Sequence, residues 1–254
     1  NLVKGFEQPV RGVPDDLYTI ELSSVFPELK HKRVRCRLEG NKVVPYWSRS
    51  EISARADRVP GRTLLYVDDA VELFFLQVQG SGRVKLTDGS MVRLNYGDQN
   101  GHPYQSIGKV LIERGEMKLE EASMQGIQAW ARSNPARLNE LLNANPSYVF
   151  FREMPNSKDG PQGALGVPLV AERSIAIDPR SVPLGAPVFL ATTRPNTNRA
   201  MNRLVMAQDT GGAIKGAVRA DFFWGFGKEA GELAGRMKQT GRMWVLLPAE
   251  AAPK

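Results

Sequence analysis

The sequence has few of the residues on which many enzyme classes depend. Its 254 residues include one cysteine, Cys36, and two histidines, His31 and His102. A single cysteine cannot form an internal disulfide, and so few ligands argue against a Cys-rich or multi-histidine metal centre and a histidine-based triad. Cys36 lies at an apolar position of an alternating pattern, which favours a small core residue over a nucleophile. The chemistry is left to carboxylates, and we expect neither a metal nor a cofactor.

Long hydrophobic runs are also missing. No run approaches the roughly 18 apolar residues of a transmembrane helix, and residues 1–5 show no export signal. We therefore expect any export signal or lipid anchor of the full-length form to lie outside this sequence. A composition of 42% hydrophobic and 24% charged residues is typical of a soluble globular protein. A length of 254 residues predicts two domains with a cleft between them.

The net charge of +7 favours anionic partners such as nucleic acid, acidic lipid or an acidic polymer. The densest basic run is HKRVRCR at residues 31–37. Because its basic and apolar residues alternate, we interpret it as a half-exposed strand with a charged face, and a dedicated polyanion site is the alternative.

Periodicity and turn residues predict short strands in both halves of the chain and helices mainly in the middle. The clearest hairpin joins residues 83–87 to 90–96 through Asp88-Gly89, which can form a type I′ turn. Residues 69–77 fit either a helix or a buried strand. The turn-rich segment 154–163 is the predicted domain boundary. The other predicted strands are 17–22, 33–39, 148–151, 169–177, 187–192, 204–207 and 242–247, and the other predicted helices are 106–114, 118–132, 228–238 and one capped at Asn134-Pro135.

The most informative segment, residues 206–227, holds two aspartates in contrasting surroundings. Asp209 ends an apolar strand before a glycine-rich turn, whose backbone N–H groups can hold a carboxylate ionised. Asp221 precedes the aromatic residues 222–224, and aromatic walls that exclude water favour the protonated form of a carboxyl group. The two side chains therefore indicate a proton donor and a charged partner.

The residue types alone leave plainer interpretations open. An aspartate beside glycine at a strand end is commonly a turn residue, and neighbouring aromatic residues are commonly core. Residues 210–216 suggest a phosphate-binding loop, but they lack the Gly-Lys-Ser/Thr ending that holds phosphate and magnesium.

Two motifs, DTGGAIKG at 209–216 and DFFWG at 221–225, resemble the C-terminal three-aspartate domain of the membrane-bound lytic murein transglycosylase A family. The third aspartate of that domain corresponds to Asp178 in SIAIDP. The resemblance runs in the family's order from about residue 45 to the C terminus. Its further motifs are FFLQVQGSG at 74–82, HPYQSIGK at 102–109, SMQGI at 123–127 and NPSYVFF at 145–151.

The resemblance implies a mainly β fold with a few helices, in which a double-psi β-barrel domain joins a second β-barrel-like domain with a sugar-binding groove between them. We expect residues 1–154 to form the second β domain with a helical patch, and residues 155–254 to form the barrel. The family's Gly-Tyr-Tyr-Glu/Thr-Pro segment is replaced by GFEQP at residues 5–9. We therefore expect residues 1–9 to be a remnant of the first-domain junction, with one groove wall altered.

The implied activity is a lytic transglycosylase that cleaves the β-1,4 bond between N-acetylmuramic acid and N-acetylglucosamine and leaves a 1,6-anhydromuramyl end. Asp221 corresponds to the acid, which then acts as base, and Asp209 and Asp178 correspond to supporting carboxylates. We expect sugar contacts from polar and aromatic side chains and from glycines that permit close approach. These are Ser48, Arg49, Gln79, Gly80, Ser81, Gly82 and Tyr104 from the first domain and Gly211, Gly212, Lys215 and Trp224 from the second.

The resemblance also implies a compartment and partners. We expect a monomer on the periplasmic side of the outer membrane of a Gram-negative bacterium, lipid-anchored in its full-length form. The expected partners are peptidoglycan glycan strands and other proteins of cell-wall synthesis or hydrolysis, and not nucleic acid.

Rival functions stay open. An inverting glycoside hydrolase would use Asp221 as acid and Asp209 as base, with their carboxyl groups about 6.5 to 9.5 Å apart. A non-catalytic cell-wall-binding module would use the aspartates only to stabilise turns. The positive charge permits a nucleic-acid-binding barrel, but no aromatic and basic stacking motif supports it.

Overall fold

A computed structural model describes residues 4–29, 34–55 and 59–251 of the chain. The chain divides into two compact units, Asn1–Asn156 and Ser157–Lys254. Short strands predominate over helices in the described residues, so the predicted mainly β class with few helices is confirmed. In the same residues, no helix combines the length and the apolar character of a membrane span, and no group of three or more His, Cys, Asp or Glu could hold a metal ion.

In its described residues, the first unit contains three small antiparallel sheets. One has two strands in the order β1-β5, and the others have three each, in the orders β2-β3-β4 and β6-β7-β8. Residues 31–33 of the predicted basic strand lie outside the described residues. The strands are β1 (Gln8–Arg11), β2 (Tyr18–Thr19), β3 (Arg35–Glu39), β4 (Lys42–Pro45), β5 (Thr63–Val67), β6 (Ser81–Lys85), β7 (Met91–Gln99) and β8 (Val149–Met154).

The β6–β7 hairpin is confirmed, but its turn differs from the predicted type. Gly89 has a φ of 84°, whereas Asp88 is not among the residues with positive φ. A type I′ turn needs positive φ at both central residues, whereas here three residues, 87–89, form the loop and only the last of them, Gly89, has positive φ. The N–H of Gly89 donates to the carbonyl of Leu86, and the N–H of Leu86 donates to the carbonyl of Ser90.

Three helices of the first unit begin directly after a residue whose side chain caps them. Asp69, Ser106 and Ser123 each accept backbone N–H groups of the first turn that follows. The ambiguous segment 69–77 is thereby a helix. Asn134 makes no side-chain cap, so that prediction is wrong, although Pro135 does open a 3₁₀ turn. The helices are α1 (Arg49–Ala54), α2 (Ala70–Gln79), α3 (Ile107–Glu113), α4 (Met124–Ser133) and α5 (Leu138–Asn143).

Helices α2 to α5 pack around a buried apolar cluster that includes Phe74, Ile107, Leu111 and Leu141. Each fully buried side chain of this size contributes about 1.5 to 3 kcal/mol relative to exposure. This cluster holds α2 in place, and α2 ends at the predicted sugar-contact motif of residues 79–82.

The second unit is built on one five-stranded sheet in the order β12-β9-β11-β10-β13. The β9–β11 pair is parallel and the other pairs are antiparallel. Of the predicted strand 169–177 only the last four residues are strand, and β12 had no sequence prediction. The elements are β9 (Ser174–Ile177), β10 (Pro187–Thr193), β11 (Ala200–Thr210), β12 (Ala220–Phe222), α6 (Gly227–Arg236) and β13 (Arg242–Val245).

Alternation along the strands separates a core face from an outer face. Ile175 and Ile177 of β9 are fully buried, and they pack with Val188, Val205 and Phe222 of neighbouring strands. Because side chains alternate, the residues between them point the other way. The outer face of β9 therefore carries the chemistry described next.

Candidate active site

Two of the predicted aspartates flank one residue of β9. Ala176 is the Cα partner of Asp209 in β11 on one side and of Asp221 in β12 on the other. Neighbouring strands lie about 4.8 Å apart, so the backbones of Asp209 and Asp221 are about 10 Å apart. Residues directly opposite each other share a face, and Ala176 alternates with the buried Ile175 and Ile177. Both aspartates therefore leave the sheet on the face opposite the core.

A β-bulge produces this arrangement. The β9–β11 register shifts between Ala207 and Asp209, where Gln208 is the extra residue. Ala207 is fully buried in the core. Without the bulge, alternation would put Asp209 on the same face as Ala207, so the extra residue turns the carboxylate outward.

Asp178 directly follows β9 and is 1% exposed. Its carboxylate accepts hydrogen bonds from Nε and Nη2 of Arg180 at 3.0 and 2.6 Å and from the backbone N–H of Gly216 at 2.9 Å. The Arg180 guanidinium and then the Gly216 N–H hold the pKa of Asp178 well below its usual range. The side chain is therefore an ionised anchor that ties the turn before β12 to the end of β9.

Asp209 is half-buried, and its carboxylate accepts the backbone N–H of Ala164 at 2.9 Å. The sequence predicted a backbone donor from the glycine-rich turn, whereas this donor lies 45 residues earlier. The segment before β9 thus reaches the same face as the two aspartates of β11 and β12.

Asp221 lies at the edge of the sheet with 49% of its side chain exposed. Arg219 Nε donates to its Oδ1 at 3.0 Å, and Arg219 Nη1 donates to the carbonyl of Ala213 at 2.7 Å. The predicted aromatic wall is wrong, because Phe222 and Trp224 pack into the core instead of shielding the carboxyl group. The carboxylate is open to solvent and paired with a guanidinium.

The glycine-rich turn connects these groups. Gly216 has a φ of 103°, a conformation that L side chains rarely adopt, and it presents its N–H to Asp178. A Cβ on Gly211 would lie 2.9 Å from Cδ1 of Ile214, whereas one on Gly212 would meet no atom within 4 Å. Lys215 is exposed. Gly212 and Lys215 are thus the open positions of the turn.

The predicted contacts at residues 79–82 lie where α2 ends and β6 begins. Gly80 takes a left-handed φ of 78°, and its N–H donates to the carbonyl of Leu76. A Cβ on Gly82 would lie 2.4 Å from Cδ1 of Leu76. Both glycines thus serve the helix end. Gln79 is exposed and Ser81 is half-buried.

Ser48 and Arg49 have structural contacts at the start of α1. Ser48 forms a capping box with Glu51. The Arg49 guanidinium donates to the carbonyls of Asn145 and Ser147 and lies over the rings of Phe74 and Tyr148. Burial lowers the pKa of Arg49 to about 10.

Two of the predicted sugar contacts are wrong, because the side chains are buried. Arg49 and Trp224 are each 6% exposed, and both lie inside their own unit, where a sugar cannot reach them. Tyr104 is 41% exposed, as a contact residue needs to be. Sequence reasoning missed Arg219 and Arg180, although each lies only two residues from its aspartate.

Comparison with known families agrees with this architecture. The MltA specific insert domain matches residues 3–152, and the 3D domain matches residues 173–247. The chain belongs to the membrane-bound lytic murein transglycosylase A family. Membrane-bound lytic murein transglycosylase A of Escherichia coli K12 is 42% identical over 214 residues, covering 81% of this chain and 57% of that protein. The chain thus spans little more than half the length of this relative.

Solved structures of family members are also similar. MltA from Neisseria gonorrhoeae, in a monoclinic form, superposes with a TM-score of 0.87 at 45% identity, covering 100% of this chain and 70% of that one. E. coli MltA with bound chitohexaose gives a TM-score of 0.74 at 35% identity, covering 96% of this chain and 66% of that one.

Proposed function

We propose that this member of the family is a lytic transglycosylase that cleaves the β-1,4 bond between N-acetylmuramic acid and N-acetylglucosamine in peptidoglycan. The observation that carries the proposal is the pair Asp209 and Asp221 flanking Ala176, with Asp178 directly beyond the end of the same strand. The names of the relatives, lytic murein transglycosylase A, and the chitohexaose bound to one of them support the substrate class.

One carboxylic acid is sufficient for this reaction. In the proposed mechanism Asp221 gives its proton to the glycosidic oxygen as the bond from C1 breaks. The C6 hydroxyl of the same muramic acid attacks C1, and its proton passes to the Asp221 carboxylate. No water is consumed, and an intramolecular attack can have an effective molarity of about 10⁵ to 10⁸ M.

The Asp221 carboxyl group is held by Arg219 while no substrate is bound. An acid catalyst has to reach the glycosidic oxygen, so the two groups have to separate when a sugar enters. The pair is half exposed, and such pairs are worth only about 0 to 1 kcal/mol. An entering sugar can therefore separate the two groups at little cost, with Arg219 still held at the Ala213 carbonyl.

The other two aspartates have supporting roles in this proposal. Asp209, about 10 Å away across β9, stabilises the positive charge of the oxocarbenium-like transition state. Asp178 stays ionised and fixes the turn that leads into β12, which sets the position of Asp221. We propose that sugars contact the accessible predicted residues, which are Ser48, Gln79, Gly80, Ser81, Gly82, Tyr104, Gly211, Gly212 and Lys215.

The test is digestion of purified murein sacculi, with the products identified by mass. We expect anhydro-muropeptides, each one water molecule lighter than the product of hydrolysis, and a loss of at least about 100-fold in rate for Asp221→Asn. Asp68→Asn, at an exposed position of the first unit, is the matched control and should keep full activity. Near wild-type release of anhydro products by a folded Asp221→Asn protein contradicts the assignment.

The same experiment decides between this function and its rivals. Products with a reducing end would identify a glycoside hydrolase. Binding to sacculi without any product would identify a non-catalytic cell-wall module.

The relatives are named membrane-bound. We propose that the full-length protein is lipid-anchored on the periplasmic side of the outer membrane, acts as a monomer on glycan strands, and works beside other proteins of cell-wall synthesis or hydrolysis. Fractionation of cells that express the full-length protein tests the location.

A further inference from the structure

A cavity of about 290 Å³ lies in the second unit beside the start of β11. Four of its eight lining residues are arginines: Arg173, Arg194, Arg199 and Arg203. We call this cavity the arginine pocket. Guanidinium groups match the two oxygens of a carboxylate or a phosphate, so four of them around one cavity favour an anionic ligand.

The carboxylate of Glu172 already binds two of these arginines. Its carboxylate lies 2.5 Å from Nη2 of Arg203 and 3.7 Å from Nη2 of Arg194. Its backbone has a φ of 57°, which is uncommon for a residue other than glycine, and its N–H donates to the carbonyl of Phe223 at 2.7 Å. A strained residue is thus held where it supplies one carboxylate to two arginines.

Among the described residues, the other two arginines have no carboxylate partner. Arg173 and Arg199 make no ion pair with any carboxylate in the described part of the chain, and both are exposed. With Glu172 subtracted, four positive charges leave a net charge of three at the pocket. Room for at least one more carboxylate therefore remains beside the occupied pair.

The strand beside the pocket has a free edge. β9 pairs with β11 only from Met206 to Thr210, so residues 200–205 pair with β10 and have no strand on their other side among the described residues. An unpaired edge offers backbone N–H and C=O groups to an extended peptide. A peptide has amide groups that can pair with the edge of β11, and its carboxylates can bind the arginines. A phosphate has no amide groups, so an acidic peptide fits both features better.

We propose that the arginine pocket and the adjacent edge of β11 bind carboxylate-bearing peptide, and that the natural ligand is a peptide attached to the glycan strand. The inference rests on the proposed function and adds a second point of substrate recognition. Arg203 and Asp209 are six residues apart in β11, which corresponds to about 20 Å along a strand. The peptide bound there is thus carried by a sugar several positions away from the bond that is cleaved.

The test compares two glycan preparations, one with its peptides and one from which they have been removed. Binding is measured by fluorescence anisotropy in the Asp221→Asn background, so that cleavage does not interfere. We expect R173Q/R199Q to weaken binding of the peptide-bearing glycan by at least about tenfold, since charge-assisted hydrogen bonds are lost, and to leave binding of the bare glycan unchanged. R236Q/R242Q removes the same charge from exposed positions outside the pocket and should change neither affinity.

Each other outcome overturns the proposal. Equal weakening for both glycans would mean that the arginines act through overall charge, and no weakening would mean that they only protect a sheet edge from pairing with other strands. Binding of anionic phospholipid vesicles that needs Arg173 and Arg199, without any dependence on peptide, would assign the pocket to phosphate headgroups. Cleavage is measured separately, on the protein with Asp221 intact. If that protein does not cleave sacculi while binding still prefers the peptide-bearing glycan, the proposed function alone is contradicted.

Discussion

The carboxylate of Asp178 accepts the backbone N–H of Gly216 at 2.9 Å, across 38 residues of chain. The bond joins the end of β9 to the turn that precedes β12. Gly216 adopts a φ of 103° there, so the donor is presented by a conformation that few other residues take. The position of Asp221, five residues later, depends on this connection.

Asp178→Asn should lower the melting temperature at pH 7, because the ionised carboxylate that pairs with Arg180 is lost. A group whose pKa is depressed in the folded state stabilises the fold above its unfolded pKa and loses that contribution as the pH falls through the folded pKa. The difference between wild type and variant should therefore be full at pH 7 and shrink below about the ordinary value of 3.8. Thermal unfolding followed by circular dichroism between pH 7 and pH 2.5 measures it, and a difference independent of pH would contradict the ionised anchor.

Arg219→Gln should lower the rate of sacculus digestion by up to about 100-fold, because the side chain that holds the Asp221 carboxyl group and the carbonyl of Ala213 together is lost. Arg219→Lys keeps a donor but not the planar fork, and it should lose less activity. Initial rates on purified sacculi measure both variants. A wild-type rate for Arg219→Gln would show that Arg219 does not position the carboxyl group.

Local signals in the sequence predicted much of the fold. The helix that follows Ser106 and the hairpin around Asp88-Gly89 depend on residues a few positions apart, and the pattern of spacing contains that information. The three-residue strand β12 is too short for any periodicity and is fixed by pairing with β9, 45 residues earlier at Asp221 and Ala176.

The site was harder to predict than the fold, because its environment is made by distant residues. Arg49 was expected at the surface, as charged residues usually are, but it is bound by carbonyls 96 and 98 residues away. Aromatic residues next to Asp221 in sequence were expected to surround it, yet adjacent residues of a strand point to opposite faces. The motif identified the aspartates, but the alternation of side chains along each strand decides what each aspartate contacts.

Arg49→Met should lower the free energy of unfolding by about 3 kcal/mol, because it leaves the buried carbonyls of Asn145 and Ser147 without a charged donor. Arg49→Lys should recover part of this loss, since it keeps the charge but not the planar fork. Denaturant unfolding measures both. A variant as stable as wild type but defective in glycan binding would restore the original prediction of a sugar contact.

Trp224 provides a second test of whether a residue predicted to contact sugar instead belongs to the core. Its indole Nε1 is buried without a hydrogen-bond partner among the described residues, so Trp224→Phe removes an unsatisfied donor and should cost less than about 1.5 kcal/mol. Trp224→Ala should cost about 3 to 5 kcal/mol, because it opens a cavity in the core. Urea unfolding of both variants measures the two costs. Glycan affinity should be unchanged in Trp224→Phe, and a marked loss there would contradict its assignment to the core.

The pairing of β12 with β9 also couples the direction of the Asp221 side chain to the packing of the core. A slip of one residue would drive Asp221 into the apolar interior and expel Phe222 into water, so the misregistered sheet is penalised twice. The register that points Asp221 outward is consequently the same register that buries Phe222. A population of this unit that is well folded yet carries a misdirected acid should not accumulate.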